Sequence, residues 1–85
     1  MDIGFVQLAI NHGGSYTRKS WNGKFVYYVP PSAYPAQTGE AKKFFGEEAK
    51  VKYDGYMAMY CPESGTVAIW LPTMQDILAK DYCKV

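Results

Sequence analysis

Ser15-Tyr16-Thr17-Arg18-Lys19-Ser20-Trp21-Asn22-Gly23-Lys24-Phe25-Val26-Tyr27-Tyr28-Val29 decides the architecture. Residues 15–20 and 25–29 are rich in β-branched and aromatic side chains, as strands require. Between them lies Asn22-Gly23, the dipeptide most suited to a two-residue hairpin turn, where both central residues take positive φ. The stretch therefore predicts two antiparallel strands with Trp21-Asn22-Gly23-Lys24 at the turn.

A second hairpin follows the same logic. Residues 51–61 and 66–71 read as strands joined by Pro62-Glu63-Ser64-Gly65, whose glycine can supply the positive φ of a four-residue turn. Upstream, residues 2–11 place Ile3, Val6 and Ile10, flanked by Phe5 and Ala9, at i, i+3 and i+4 positions, which predicts a short amphipathic helix. Asn11-His12-Gly13-Gly14 ends it, because a glycine pair does not continue a helix. Pro30, Pro31 and Pro35 make 30–37 an extended, irregular and adaptable connection. Thr38 can cap a short helix over 40–48, with Ala41, Phe44 and Phe45 as its apolar face and Gly46 shortening it. Near the end, Thr73 stands at an N-cap position with Asp76 three residues on, a variant of the capping box, and Met74, Ile77 and Leu78 give a helical face. Tyr82 to Val85 returns as a short edge strand. The expected fold is one α+β domain over residues 1–85: a small antiparallel sheet with an N-terminal helix and one or two short helices on one face.

Eighty-five residues bury a modest core, and Cys61, Cys83 and the lone His12 can build neither a disulfide framework nor a four-ligand zinc site. Oligomerisation is the remaining support, and eight tyrosines among the aromatics suit half-buried contacts. Nine basic against eight acidic residues leave a net charge of +1, too little for a protein that lives on a nucleic-acid backbone. The chain has no apolar run of about 20 residues and no basic-then-apolar start, so it reads as soluble and intracellular with reduced thiols.

The inventory for catalysis is thin. His12 sits between Asn11 and two glycines with no evident partner. Asp76 and Asp81, five apart, would diverge by about 140° on a continued helix, which is wrong for an acid and base pair. Neither glycine-rich phosphate signature is present, and no cofactor motif is found. The binding inventory is richer. Arg18, the sole arginine, can grip a phosphate or ribose, stack on a ring, or pair with a carboxylate. Trp21 and Trp70 can be core residues or stacking platforms. Pro72-Thr73 and the helical amides after them form a corner able to receive an anion or carbonyl, and Asp76 can serve as a cap or accept from a ligand hydroxyl. Tyr53, Tyr56, Met59 and Tyr60 suit sheet packing and subunit contact.

Gly4-Phe5, Arg18-x-x-Trp21-Asn22-Gly23-Lys24, Tyr34-Pro35-Ala36, Phe45-Gly46, Tyr56-x-x-Met59 and Trp70-x-Pro72-Thr73-x-x-Asp76-x-Leu78-Ala79-x-Asp81 together give the chain its resemblance to the Thoeris anti-defence 2 family of small phage proteins. The family pattern usually ends in Asp-Trp, where this chain has Asp81-Tyr82. The resemblance implies a non-enzymatic sponge acting in the cytoplasm of the infected bacterial host. Such a protein binds the cyclic ADP-ribose isomer made by bacterial TIR-domain immune proteins (glycocyclic ADP-ribose) and withholds it from its effector; some relatives are also associated with cyclic dinucleotides. It further implies a homotetramer with pockets at subunit interfaces, and a ligand-binding set of Arg18, Trp21, Asn22, Lys24, Trp70, Pro72, Thr73 and Asp76 without metal or cofactor. An indole can stack on adenine, an asparagine can read its edge, and amides with one cation can hold a pyrophosphate. Two other classes stay open: an enzyme degrading such a ligand, and an inhibitor that binds a host protein through its tyrosine-rich surface.

Overall fold

The computed structural model describes residues 1–35 and 50–85. In chain order the elements are α1 (Phe5–His12), β1 (Ser15–Arg18), β2 (Phe25–Val29), β3 (Ser32–Pro35), β4 (Lys50–Tyr53), β5 (Tyr56–Cys61), β6 (Thr66–Ile69), α2 (Met74–Leu78) and β7 (Tyr82–Lys84). Five strands form an antiparallel sheet in the order β6-β5-β2-β1-β7, and β3 and β4 pair separately. The expected α+β class with an antiparallel sheet and few short helices is what the structure has. The helix expected over 40–48 lies outside the described residues.

The period-2 alternation of strands sets one face of the sheet against α1. Tyr16 pairs with Val26 across β1 and β2, Arg18 pairs with Tyr82 across β1 and β7, and Tyr16, Val26 and Tyr82 are buried together under Phe5, Ala9 and Trp70. The Phe5 ring is the centre of this cluster, with centroids 4.4 Å from Tyr82, 5.0 Å from Tyr16 and 5.8 Å from Trp70. The helix runs later than the expected 2–11, and its inward pair is Phe5 and Ala9, one turn apart, while Ile10 is exposed. Ile10 stands about 100° around the helix from Ala9, so a face centred on Phe5 and Ala9 leaves it out. Gly13, at φ 74°, closes the helix by donating its N–H to Ala9 O at 2.9 Å.

The first hairpin has β2 where expected, but β1 ends at Arg18 instead of running to residue 20, and the turn differs from the expected one. Residues 19–24 form a wider loop, and among the described residues none other than glycine has positive φ, so Asn22 does not adopt a type I′ conformation. Instead Trp21 N–H donates to Arg18 O at 3.0 Å, Gly23 N–H donates to Trp21 O at 2.7 Å, and the Thr17 hydroxyl donates to Lys24 O at 2.7 Å. The physical reason is Trp21: its indole lies over the core, 6.0 Å from Trp70 and 5.9 Å from Tyr82 in edge-on geometry, and carries the loop with it.

The strand expected over 51–61 is broken at Asp54-Gly55, and the connection expected over 30–37 contains a strand. These corrections have one cause. Val29 faces Tyr56 and Ser32 faces Tyr53, so β2 to β3 and β4 to β5 form one long ribbon whose register runs through without a slip. Pro30-Pro31, lacking amide donors, fall opposite Asp54-Gly55 and interrupt the ladder there. Gly55 also lies against the Tyr28 ring, which a Cβ at this position would have to displace.

The hairpin of β5 and β6 turns at 62–65 as expected, with Gly65 at φ 65°. Helix α2 has its full capping box, but the apolar face expected of it does not pack. Met74 and Leu78 are 68% and 69% exposed, Ile77 is exposed too, and the residue α2 buries is Asp76. Strand β7 is the edge strand expected at the C-terminal end.

Because Phe5 joins three aromatic partners, Phe5→Ala should cost about 3–5 kcal/mol, a large part of the stability of a domain this size, read as a fall in the urea midpoint.

Candidate functional site

Arg18 closes β1, the last residue before the 19–24 loop, and its register partner across β7 is Tyr82. The guanidinium lies 5.8 Å from the Tyr82 ring centroid and is held by two carboxylates: Nη1 donates to Asp76 Oδ1 at 2.9 Å and Nε donates to Asp81 Oδ1 at 3.0 Å. The divergence expected of Asp76 and Asp81 does not occur, because α2 stops at Leu78 and Ala79 is extended, which swings Asp81 back toward Arg18. The pair is two acceptors around one cation, not an acid and a base facing a substrate.

Asp76 is also half of the capping box. Thr73 N–H donates to Asp76 Oδ2 at 2.9 Å, Asp76 N–H donates to Thr73 Oγ1 at 3.2 Å, and the Tyr82 hydroxyl donates to Asp76 O at 2.5 Å. Burial pushes the Asp76 carboxyl up, but the Thr73 amide and the Arg18 guanidinium outweigh it and hold the group below its ordinary value. The Arg18 hydrogen bond lowers Asp81, and in return Asp81 and Asp76 hold Arg18 more firmly protonated. Burial, followed by the nearby Asp76 charge, raises the Tyr82 phenol.

Of the residues singled out in the sequence, five come together: Arg18, Trp21, Trp70 and Asp76 each contact Tyr82, and Thr73 joins them through Asp76. Trp70 is 7% exposed and belongs to the core, so its ring meets Phe5, Trp21 and Tyr82. The corner at Thr73 already holds an anion, the Asp76 carboxylate. Pro72 is exposed outside this network, and Asn22 is exposed on the 19–24 loop.

Lys24 lines a cavity of about 220 Å³ with Thr17, Arg18, Trp21, Gly23, Phe25 and Val85. Here Arg18 and Trp21 have one side on the buried network and another on open space. Sequence reasoning did not pick out Tyr82, Thr17, Phe25 or Val85, and it saw Asp81 without its partner. The usable signal was that a lone arginine in a strand between aromatics needs acceptors, and the chain offers two carboxylates flanking a short helix.

Two outcomes follow from this geometry. Thr73→Ala removes the cap and should cost about 1 kcal/mol in chemical denaturation. Asp76 and Asp81 titrate lower in the folded protein than in the unfolded chain, so their stabilisation is complete above the unfolded value near 4 and is lost as the pH falls from there through their lower folded values. Thermal melts from pH 6 down to about 2 should therefore show a steep loss below about pH 4 that is flattened in Asp76→Asn/Asp81→Asn, whose melting temperature starts lower.

Comparison with curated proteins finds no match. Comparison with protein-family models matches the Thoeris anti-defense 2-like domain over residues 1–82, which spans every described element from α1 to the start of β7 and includes Arg18, Asp76, Asp81 and Tyr82. The chain belongs to the Thoeris anti-defense 2-like family.

Proposed function

We propose that this protein acts against Thoeris defence by binding a cyclic ADP-ribose isomer, glycocyclic ADP-ribose, and withholding it without degrading it, with cyclic dinucleotides as a further ligand class. Membership of the family supports the anti-defence role. The observation that carries the ligand reading is the cavity of about 220 Å³ beside Trp21 and Lys24. Pockets that enclose small ligands run to roughly 300–1,000 Å³, so one chain offers a partial site that a second subunit completes. This fits a homotetramer with ligands at its interfaces, working in the cytoplasm of the infected host. No helix among the described residues is long and apolar enough to cross a membrane.

In this reading Trp21 stacks on the base through its cavity side, Asn22 reads a base or ribose edge, and Lys24 meets the pyrophosphate. Arg18 presents the remainder of its five N–H donors, two being taken by Asp76 and Asp81. Trp70, Thr73 and Asp76 act from behind by fixing Trp21 and Arg18, and Pro72 stands at the rim. A binding role is favoured over hydrolysis by the two carboxylates near the site: each is bound to Arg18 and held in its ionised form, so neither is available as an acid at neutral pH. The second reading, an inhibitor of a host protein, rests on the exposed Tyr53 and Tyr56 beside the break in the ribbon.

Incubation with glycocyclic ADP-ribose, followed by heating and mass spectrometry of the supernatant, should recover the intact ligand in stoichiometric amount. Turnover products would replace this reading with an enzyme, and absence of binding with a stoichiometric host protein co-purifying would favour the second reading. Lys24→Ala and Asn22→Ala should weaken calorimetric affinity by about 1–3 kcal/mol, roughly five- to a hundredfold or more, with melting close to wild type. Trp21→Ala should lose both affinity and stability, since its ring also packs on Trp70 and Tyr82.

A further inference from the structure

The two edges of the five-stranded sheet are finished differently. At β7, Tyr82 N–H donates to Met1 O at 3.0 Å and the Met1 nitrogen donates to Tyr82 O at 2.8 Å, so part of that edge is paired by the chain itself. At β6, no described residue hydrogen-bonds to the outer edge. The ladder fixes which groups that edge offers. Trp70 N–H donates to Met57 O at 2.7 Å across β5, so by alternation Thr66, Ala68 and Trp70 turn their backbone toward β5 while Val67 and Ile69 turn N–H and C=O outward. The side chains of that strand are open on both faces, with Val67 51% and Ile69 61% exposed.

Native edge strands are ordinarily guarded by a charge, a bulge or a proline. Thr66-Val67-Ala68-Ile69-Trp70-Leu71-Pro72-Thr73-Met74 contains no charge, and its first proline stands beyond the strand, where it ends pairing without blocking it. We propose that β6 pairs antiparallel with β6 of a second copy of this chain across a two-fold axis at Ala68, joining two five-stranded sheets into one of ten.

The strand is suited to itself. A two-fold axis at Ala68 sets Ala68 against its own counterpart and Val67 against the partner's Ile69, and in a strand without charge none of these pairings brings like charges together. The outward N–H and C=O of Val67 meet the partner's Ile69, and those of Ile69 meet the partner's Val67, so all four outward groups of each strand are satisfied. Val67 and Ile69 then form cross-strand β-branched pairs on one face. Ala68 meets the partner's Ala68 at the non-hydrogen-bonded position, where backbones approach to about 4.5 Å between Cα atoms and a small side chain fits. Leu71, Met74 and Leu78, all exposed, continue the apolar surface just after the strand. The pairing deepens the assembly proposed above and rests on that reading only in requiring that the chain be oligomeric; it needs no ligand.

The experiment uses the full chain without ligand. Val67→Pro deletes an outward amide that takes no part in the β5 ladder, so the subunit retains its sheet by circular dichroism while its sedimentation mass at micromolar concentration falls by a factor of two. In a Cys61→Ser/Cys83→Ser background, Ala68→Cys places two thiols at a Cα spacing within the disulfide range and should give a covalent dimer on a non-reducing gel after mild oxidation. Wild-type chain sedimenting as a monomer overturns both this pairing and the proposed assembly. An oligomer whose mass survives Val67→Pro and whose Ala68→Cys variant stays uncrosslinked overturns the pairing alone. Should Val67→Pro fail to fold, the Ala68→Cys result decides by itself.

Discussion

One guanidinium between two carboxylates holds together the end of this molecule that carries the candidate site. Arg18 belongs to β1, Asp76 to α2 and Asp81 to the turn into β7, so the two ion pairs tie β1 to two neighbouring segments, 58 and 63 residues further along the chain. A helix of five residues has no independent stability in water, and the exposed apolar side chains of α2 show that it is not held by hydrophobic packing of its own. It persists because Asp76 is engaged three ways, by the Thr73 cap, the Arg18 ion pair and the Tyr82 hydroxyl on its carbonyl. Removing either partner of such a pair leaves a partly buried charge without compensation, which is why the triad acts as a unit.

The same triad explains the arrangement around the cavity. Trp21 lies on Tyr82 and Trp70, and Arg18 lies over the Tyr82 ring, so both residues that border the open space are fixed from the buried side. In the proposed binding role, such fixing lowers the entropic cost of ordering these side chains on a ligand. It also neutralises the arginine locally, since one positive charge faces two negative ones, and among the described residues that line the cavity it leaves Lys24 as the cation without a carboxylate partner.

What could be read from sequence was whatever local chemistry dictates. The Thr73 cap with its Asp76 reciprocal, the glycine stop after α1, the Pro62 to Gly65 turn and the strands around residues 15–18 and 25–29 each depend on neighbours within a few residues. The failures lie where distant contacts override local preference. Asn22-Gly23 has the composition of a tight turn, but the attraction of the Trp21 ring for the core opens it into a loop. Ile10, Met74, Ile77 and Leu78 have helical spacing, but periodicity does not say which stripe meets the sheet. Asp81 was visible as a residue; its convergence with Asp76 on Arg18 needed the end of α2 and the β1 to β7 pairing, neither of which is a local property.

The interrupted ribbon has a consequence for how this chain can change length. Because Val29 faces Tyr56 and Ser32 faces Tyr53, the two sides of the break at Pro30-Pro31 and Asp54-Gly55 hold equal numbers of residues. A single residue gained or lost on one side would turn every side chain of β3 or β4 to the opposite face relative to its neighbour. The break is thus a phase-locked joint: it tolerates matched changes on both strands and resists solitary ones, so indels during divergence should be filtered there by parity, whatever the identity of the inserted residue.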